Sequence, residues 1–261
     1  MATYLDRIIA AHRAQAAADV RSLDALHGEA LALPPARGFE RAIVETDGLA
    51  VIAEVKRASP SKGDLNVGLD PAVVARAYEA GGATCLSVLT DEDWFQGSAE
   101  DLQVARAAVT VPVLRKDFTV SAADVCDARI MGADAVLLIV AALDDAELAD
   151  LHALAVEVGL DVLVEVHDEP ELERALGVGA SLVGVNQRDL VTFEVDTDRA
   201  VRMAPQMPDG VVRVAESGVR GVEDAAHLAA AGYHAVLVGE SLVTAGDHGA
   251  AVAALRGIGR N

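Results

Sequence analysis

The chain carries only three lysines, Lys56, Lys62 and Lys116, among 21 basic residues; every other formal positive charge is an arginine. Each lies in or just beyond a short apolar run: Val51-Ile52-Ala53-Glu54-Val55-Lys56, Ser61-Lys62-Gly63 and Val113-Leu114-Arg115-Lys116. An ammonium is a compact charge that titrates when desolvated and can give up its proton, whereas a guanidinium stays charged. Lysine confined to such places points to proton transfer or point-charge recognition. Chance survival in an arginine-rich composition is the alternative. Carboxyl groups recur in the same setting. Glu54 stands two residues before Lys56, Glu165 lies inside Leu163-Val164-Glu165-Val166, and Glu216 ends the run from Val211. Asn186 ends Leu182–Asn186 in the same way. A lone charge in an apolar strand is costly to bury unless paired. Acids and ammonium groups converging there would satisfy one another and shift one another's pKa, which suits general acid–base chemistry. A structural ion-pair network is the competing reading.

Two further groups of residues could hold a ligand. Ser217-Gly218 follows Glu216, and Gly239-Glu240-Ser241 follows the last apolar run. Paired loops of this kind before short helices form a recurrent phosphate site in barrels; plain tight turns are the alternative. Trp94, Phe95 and Phe118 follow the second and third apolar runs and make a flat apolar pocket suited to an aromatic ring. Core packing would explain any one of them alone. The segment Arg57-Ala58-Ser59-Pro60-Ser61-Lys62-Gly63 is polar, basic and long enough to close over a ligand, with Lys62 clamping an anion and Gly63 as a hinge.

Positioning these groups requires a repeated scaffold. Apolar runs at Leu49–Val55, Cys85–Leu89, Val113–Lys116, Ala135–Val140, Val162–Val166, Leu182–Asn186, Val211–Glu216 and Ala235–Gly239 read as strands buried on both faces. Helical patterns separate them at Pro71–Ala80, Ala99–Ala108, Ala122–Met131, Asp145–Glu157, Glu169–Leu176, Asp198–Met203 and Val222–Ala231. Eight βα units predict an α/β chain folded as a (β/α)8 TIM barrel over residues 49–261, in which chemistry collects at the C-terminal ends of the strands. A doubly wound open sheet is the runner-up. Period-two alternation turns Glu54 and Lys56 toward the barrel axis and Val55 away from it. Residues 1–48 form an N-terminal helical extension: one long amphipathic helix with Leu5, Ile8, Ile9 and Ala16, then a short one from Phe39 to Val44 after Pro34-Pro35. It packs over one mouth of the barrel, or it plugs the bottom.

Composition narrows the function. A net charge of −20 argues against nucleic acid and anionic membrane as partners, since both need a basic face. The same charge repels an anionic ligand at long range, so such a ligand needs a local positive pocket. Early charges break any signal-peptide pattern, and the longest apolar run, Ala135 to Leu143, is too short to span a bilayer. Cys85 and Cys126 lack metal-ligand spacing and read as buried free thiols. The expectation is a cytoplasmic protein.

The stretch Ile52-Ala53-Glu54-Val55-Lys56-Arg57-Ala58-Ser59-Pro60-Ser61-Lys62-Gly63 resembles the signature of indole-3-glycerol phosphate synthases. So do Leu114-Arg115-Lys116-Asp117-Phe118, Val164-Glu165-Val166-His167, Gly184-Val185-Asn186-Gln187-Arg188-Asp189-Leu190, Ala215-Glu216-Ser217-Gly218 and Gly239-Glu240-Ser241-Leu242. The resemblance runs in order along nearly the whole chain. It implies a carboxy-lyase of tryptophan biosynthesis that closes 1-(2-carboxyphenylamino)-1-deoxyribulose 5-phosphate to indole-3-glycerol phosphate, with loss of carbon dioxide and water. It implies no metal and no cofactor, and a monomer or weak homodimer. Carried onto this sequence, Glu54, Lys56, Lys116, Glu165, Asn186 and Glu216 become catalytic residues. Lys116 is the general acid for ring closure, and Lys56 receives the substrate carboxylate. Asn186 and Glu216 orient hydroxyls and keep the lysines charged. Trp94, Phe95 and Phe118 take the ring, with Arg188 and Ser217 also touching substrate, and Ser59, Gly218, Gly239 and Ser241 take the phosphate. An isomerase of another sugar phosphate, a Schiff-base aldolase and a non-catalytic phosphosugar sensor are the competing readings. The first would more plausibly use a Cys or Asp base at the first strand. The last would not need two lysines and three carboxylates turned inward.

Overall fold

The eight Val-, Leu- and Ala-rich runs become eight parallel strands: β1 (Ala50–Val55), β2 (Cys85–Leu89), β3 (Val113–Lys116), β4 (Ala135–Ile139), β5 (Asp161–Val166), β6 (Leu182–Asn186), β7 (Val212–Glu216) and β8 (Ala235–Val238). In this computed structural model, residues 3–189 and 191–259 are described; Leu190, which ends one matched stretch, lies outside them, as do Met1 and Ala2 of the amino-terminal reading. Each strand pairs with its neighbours in sequence. The sheet closes because β1 pairs with both ends of the series, Ala50 opposite Ala235 of β8 and Ile52 opposite Cys85 of β2. A (β/α)8 barrel results, not an open sheet.

Alternation along the strands sorts side chains into two apolar layers. Ala50, Ile52, Leu114, Leu137, Leu163, Val214 and Leu237 fill the interior, whereas Val51, Ala53, Val136, Val164 and Val236 pack outward beneath the helices. Continuing the inward series by one step gives Glu54, Lys116, Glu165 and Glu216. The charged residues are therefore the top layer of the same face that makes the core. Most helices after the strands begin at a capping residue. Asp70, Ser98, Ser121, Asp144 and Asp168 each accept a backbone N–H of the first turn, which satisfies an otherwise orphaned donor.

The N-terminal extension forms three helices: α1 (Tyr4–Ala18), α2 (Leu23–Leu31) and α3 (Phe39–Glu45). α1 contains Leu5, Ile8, Ile9 and Ala16 of the expected long helix, and α3 matches the expected short one; α2 is an additional helix, capped by Ser22 after a turn in which Asp19 and Asp127 hold the Arg21 guanidinium. Both expected placements occur, in different pieces. In α3, Phe39 and Ile43 are fully buried in the inner layer beside Ala50, Ala135 and Ala235, at the N-terminal ends of the strands. The Glu40 N–H donates to Asp161, and Ser181 donates to the Glu40 carboxylate. α1 lies across the opposite mouth. Its Arg13 bridges to Glu147 at 2.5 Å, and His12 Nε2 lies 2.9 Å from Asp91 Oδ2.

Small departures from the expected elements have local causes. Val140 leaves β4 to start a 3-10 turn, Val140–Ala142, and Gly239 begins the four-residue helix Glu240–Val243 rather than ending β8. The basic loop after β1 is not loose: Ala58–Ser59 pairs antiparallel with Gly63–Asp64. Arg57 anchors it through Asp101 and the carbonyls of Val67 and Leu69. Among the described residues no helix is long and apolar enough to cross a membrane.

Candidate active site

At the C-terminal end of the barrel a cavity of about 680 Å³ is lined by nearly every residue singled out from the sequence: Glu54, Lys56, Ser59, Phe95, Lys116, Phe118, Glu165, Asn186, Arg188, Glu216, Ser217, Gly218, Gly239 and Ser241. Its size suits one small organic ligand. Trp94 is the exception. Its ring stands edge-on to Tyr4 at 5.2 Å, and it is Tyr4 that reaches the cavity.

The charged cluster is built strand by strand. From β3, Lys116 Nζ lies 2.9 Å from Glu165 Oε2 of β5 and 3.3 Å from Glu216 Oε2 of β7. Glu54 of β1 meets Lys56, the first residue past that strand, with Nζ 2.5 Å from Oε1. Asn186 of β6 donates from Nδ2 to Glu165 Oε1 at 3.1 Å, while its own Oδ1 accepts the Arg188 N–H. Burial works against the Lys116 ammonium, but the charges of Glu165, Glu216 and Glu54 outweigh it and hold the lysine protonated. The two glutamates divide. Burial raises both. Lys116 and the nearby His167 pull Glu165 back below the ordinary range, whereas Glu216, repelled by Glu165, stays well above it. Neither carboxylate oxygen of Glu216 has a hydrogen-bond partner among the described residues. Two carboxyl groups in one site with their affinities for protons pushed apart is the pattern that lets one stay ionised while the other holds a proton.

The side opposite the ring pocket is made of backbone turns. Ser217 and Gly218 both have positive φ, 64° and 78°, so the backbone turns sharply as it leaves β7 and borders the cavity. Gly239 is needed for a different reason. A Cβ there would sit 2.2 Å from Glu54 Oε1 and 3.0 Å from Lys56 Nζ, so a side chain at this position would push the ion pair aside. Ser241 donates to the Val219 carbonyl at 3.1 Å, joining the β7 and β8 loops. Lys62 meets Glu240 at 3.0 Å across the rim, and both are about half exposed.

The apolar wall includes residues that a search for polar strand ends passed over. Phe95 and Phe118 rings lie 6.2 Å apart. Ile8 and Leu5 of α1, Leu137 and Ile139 of β4, Leu237 of β8 and Phe193 complete the wall. Tyr4 packs on Phe193 at 5.2 Å, so α1 and the β6 loop meet over the opening. Leu137 and Ile139 could have been found from inward alternation alone. Tyr4, Leu5 and Ile8 share one helix face, but nothing in the sequence says that this face meets a cavity instead of a core.

The comparisons agree along the whole chain. Residues 5–255 match the family model for indole-3-glycerol phosphate synthase. Indole-3-glycerol phosphate synthase of Mycobacterium avium (strain 104) is 52% identical over 256 residues, 97% of this chain and 94% of that protein. That of Mycolicibacterium smegmatis is 53% identical over the same length and shares. That of a Nocardioides species is 57% identical over 211 residues, 81% of each chain. Among solved structures, thiamine phosphate pyrophosphorylase from Pyrococcus furiosus superposes with a TM-score of 0.61 at 17% identity, over 80% of this chain and 94% of that one; this likeness concerns the fold alone. The chain belongs to the indole-3-glycerol phosphate synthase family.

Proposed function

We propose that this protein closes 1-(2-carboxyphenylamino)-1-deoxyribulose 5-phosphate to indole-3-glycerol phosphate, releasing carbon dioxide and water. One observation carries the reading of the site. A lysine kept charged by two buried glutamates shares a cavity with a group of aromatic residues and with the serine- and glycine-rich loops after β7 and β8. Each portion of the substrate then has a counterpart. The anthranilate ring packs among Phe95, Phe118, Ile8 and Ile139, its carboxylate meets Lys56, and the phosphate sits against Ser59, Ser217, Gly218, Gly239 and Ser241 with Arg188 beside it. Trp94 supports the ring pocket through Tyr4.

Ring closure needs the ribulose carbonyl to become electrophilic as the ring carbon bearing the carboxylate attacks it. Lys116 donates its proton to the carbonyl oxygen as negative charge develops there. Although its carboxylate neighbours make it a weak acid, an alkoxide is a strong enough base to take that proton. Loss of carbon dioxide then restores the aromatic ring. The new hydroxyl departs with a proton, and the adjacent ring methylene gives up a proton, so that the indole keeps its N–H. Glu165 is held as a carboxylate and suits the base; Glu54 and Lys56, paired beside the phosphate loops, are the other candidates. Asn186 and Glu216 orient hydroxyls, and Glu216 Oε1, which Lys116 does not engage, is free to accept from them. The protein acts in the cytoplasm as a monomer; a weak homodimer would show as concentration-dependent sedimentation.

Adding the carboxyphenylamino-deoxyribulose phosphate to purified protein should produce indole fluorescence and one carbon dioxide per product. Consumption without either product would refute the reading. Borohydride trapping of a covalent adduct would favour an aldolase-like Schiff base over acid catalysis.

A further inference from the structure

His167 follows β5 and does not line the cavity, yet it is placed against the most constrained carboxylate of the site. Its Nδ1 lies 3.0 Å from Glu171 Oε2, and its backbone N–H donates to the same oxygen at 2.7 Å. Glu171 is fixed in turn, in the first turn of the helix Glu169–Gly177, where its N–H donates to the Asp168 cap. The other ring nitrogen, Nε2, is buried without a hydrogen-bond partner and lies 3.5 Å from Glu165 Oε1. Lys116 engages the opposite oxygen, Oε2. An Nδ1–H donated to Glu171 fixes the ring so that Nε2 faces Glu165 in either protonation state. In the charged state it presents a donor there, and in the neutral state only a lone pair, which the carboxylate repels.

We infer that His167 is a positioning residue: its imidazolium, oriented by Glu171, holds Glu165 ionised and aligned from the side that Lys116 does not reach, and catalysis falls when that imidazolium is lost. The inference rests on the role proposed above for Glu165.

The groups facing His167 come from three elements. Glu165 of β5 and Glu171 of the following helix favour the charged ring, whereas Arg199, at the start of the helix Arg199–Met203, opposes it, as burial does. The carboxylates prevail, so the ring titrates above its ordinary value. Charge on the imidazole is therefore complete below the ordinary imidazole range and disappears as pH rises through the raised value. Lys116 titrates far higher and contributes no transition there; Glu216, pushed up to about 8 by burial, titrates in the same window in parent and variants alike, so the His167 transition is read as the difference between them.

The test is the single-turnover rate of indole formation between pH 6 and 10 for the parent, His167→Asn and Glu171→Gln. The parent should lose rate along an alkaline limb in this range. His167→Asn should lose the His167 part of that limb, keep only the fall that Glu216 gives every variant, and run about tenfold below the parent's maximum, a modest share of what a positioned acid–base group contributes, with KM within about twofold. Glu171→Gln should keep a limb displaced to lower pH. The same limb at the same pH in parent and variants would overturn the inference, as would full parental activity in His167→Asn at neutral pH. If His167→Asn does not fold, the Glu171→Gln displacement alone decides. A Glu165→Gln variant separates the two claims. Full turnover there would defeat the role of Glu165 itself, whereas loss of turnover there, with an unmoved limb in the His167 and Glu171 variants, defeats only the role of His167.

Discussion

Asp134 and Glu216 are buried acids at opposite ends of one barrel, and their surroundings treat them in opposite ways. Asp134, just before β4 at the closed end, accepts four hydrogen bonds: from the Arg37 N–H, from Arg106 Nη2 and Nε, and from the Val113 N–H. Glu216, the last residue of β7 at the open end, has no hydrogen-bond partner among the described residues and faces Lys116 at 3.3 Å. Burial is the same to within a per cent, 0% and 1% exposed. Burial of a charge therefore does not by itself mark a functional group. What separates the two is unmet hydrogen-bonding capacity. A satisfied buried acid ties chain segments together, and an unsatisfied one carries a desolvation cost that a ligand can relieve. The same division holds for the apolar residues. At the closed end Phe39 and Ile43 fill the barrel, whereas at the open end Phe95, Phe118 and Ile139 border space.

Three substitutions or titrations sharpen this contrast. Replacing Lys116 with Met at the open end should have the largest effect, lowering turnover by about a hundredfold to ten-thousandfold with substrate binding largely kept, the range for a positioned proton donor. A near-parental kcat would remove Lys116 from the chemistry. At the closed end, Phe39→Ala should cost about 3–5 kcal/mol in urea unfolding, as for other buried aromatic truncations, with kcat of the folded protein unchanged. A variant that loses rate without losing stability would mean that the two ends are coupled. The smallest effect is expected at α1. The His12 ring, opposed by burial but held by Asp91 and Asp117, titrates above its ordinary value. Its ion pair is intact below the ordinary imidazole pKa and is lost as pH rises through the raised one. Because α1 supplies Tyr4, Leu5 and Ile8 to the cavity, KM should climb over that window by about fivefold at most, since such pairs contribute ~1 kcal/mol or less. A KM that stays flat in the parent and in His12→Asn would show that α1 docks without this pair.

The barrel was legible because strands buried on both faces leave continuous apolar runs between glycines and capping residues. β2, β3 and β6 match the expected bounds residue for residue, and the others differ by a residue or so at an end. The charged cluster was legible for a related reason. Glu54, Lys116, Glu165 and Glu216 interrupt the inward apolar series at its last step, and a polar residue at an apolar phase stands out. Apolar cavity residues do not stand out. Phe193 and Leu5 look in sequence like any core side chain, and the β1-loop hairpin is two residues per strand, too short to show a period. The extra helix α2 follows a turn where Arg21 reaches Asp127, over a hundred residues away, a contact that sequence does not display. The link from Glu171 through His167 to Glu165 needs the turn at Asp168, whose geometry no spacing rule reveals.

The most direct test sets the two acids side by side, with melting temperature and single-turnover rate measured for Glu216→Gln and Asp134→Asn. Because the folded protein raises the Glu216 pKa above its unfolded value, its contribution is favourable at low pH and is lost as pH rises through the raised value. Glu216→Gln should therefore melt at or above the parent, with the gap widening toward alkaline pH, while its rate falls by about tenfold or more. Asp134→Asn should lose about 3 kcal/mol of stability, as when one partner of a buried ion pair is removed, and keep its rate once folded. If instead Glu216→Gln melts early with its rate intact and Asp134→Asn loses rate at full stability, the assignment of chemistry to the open end is wrong.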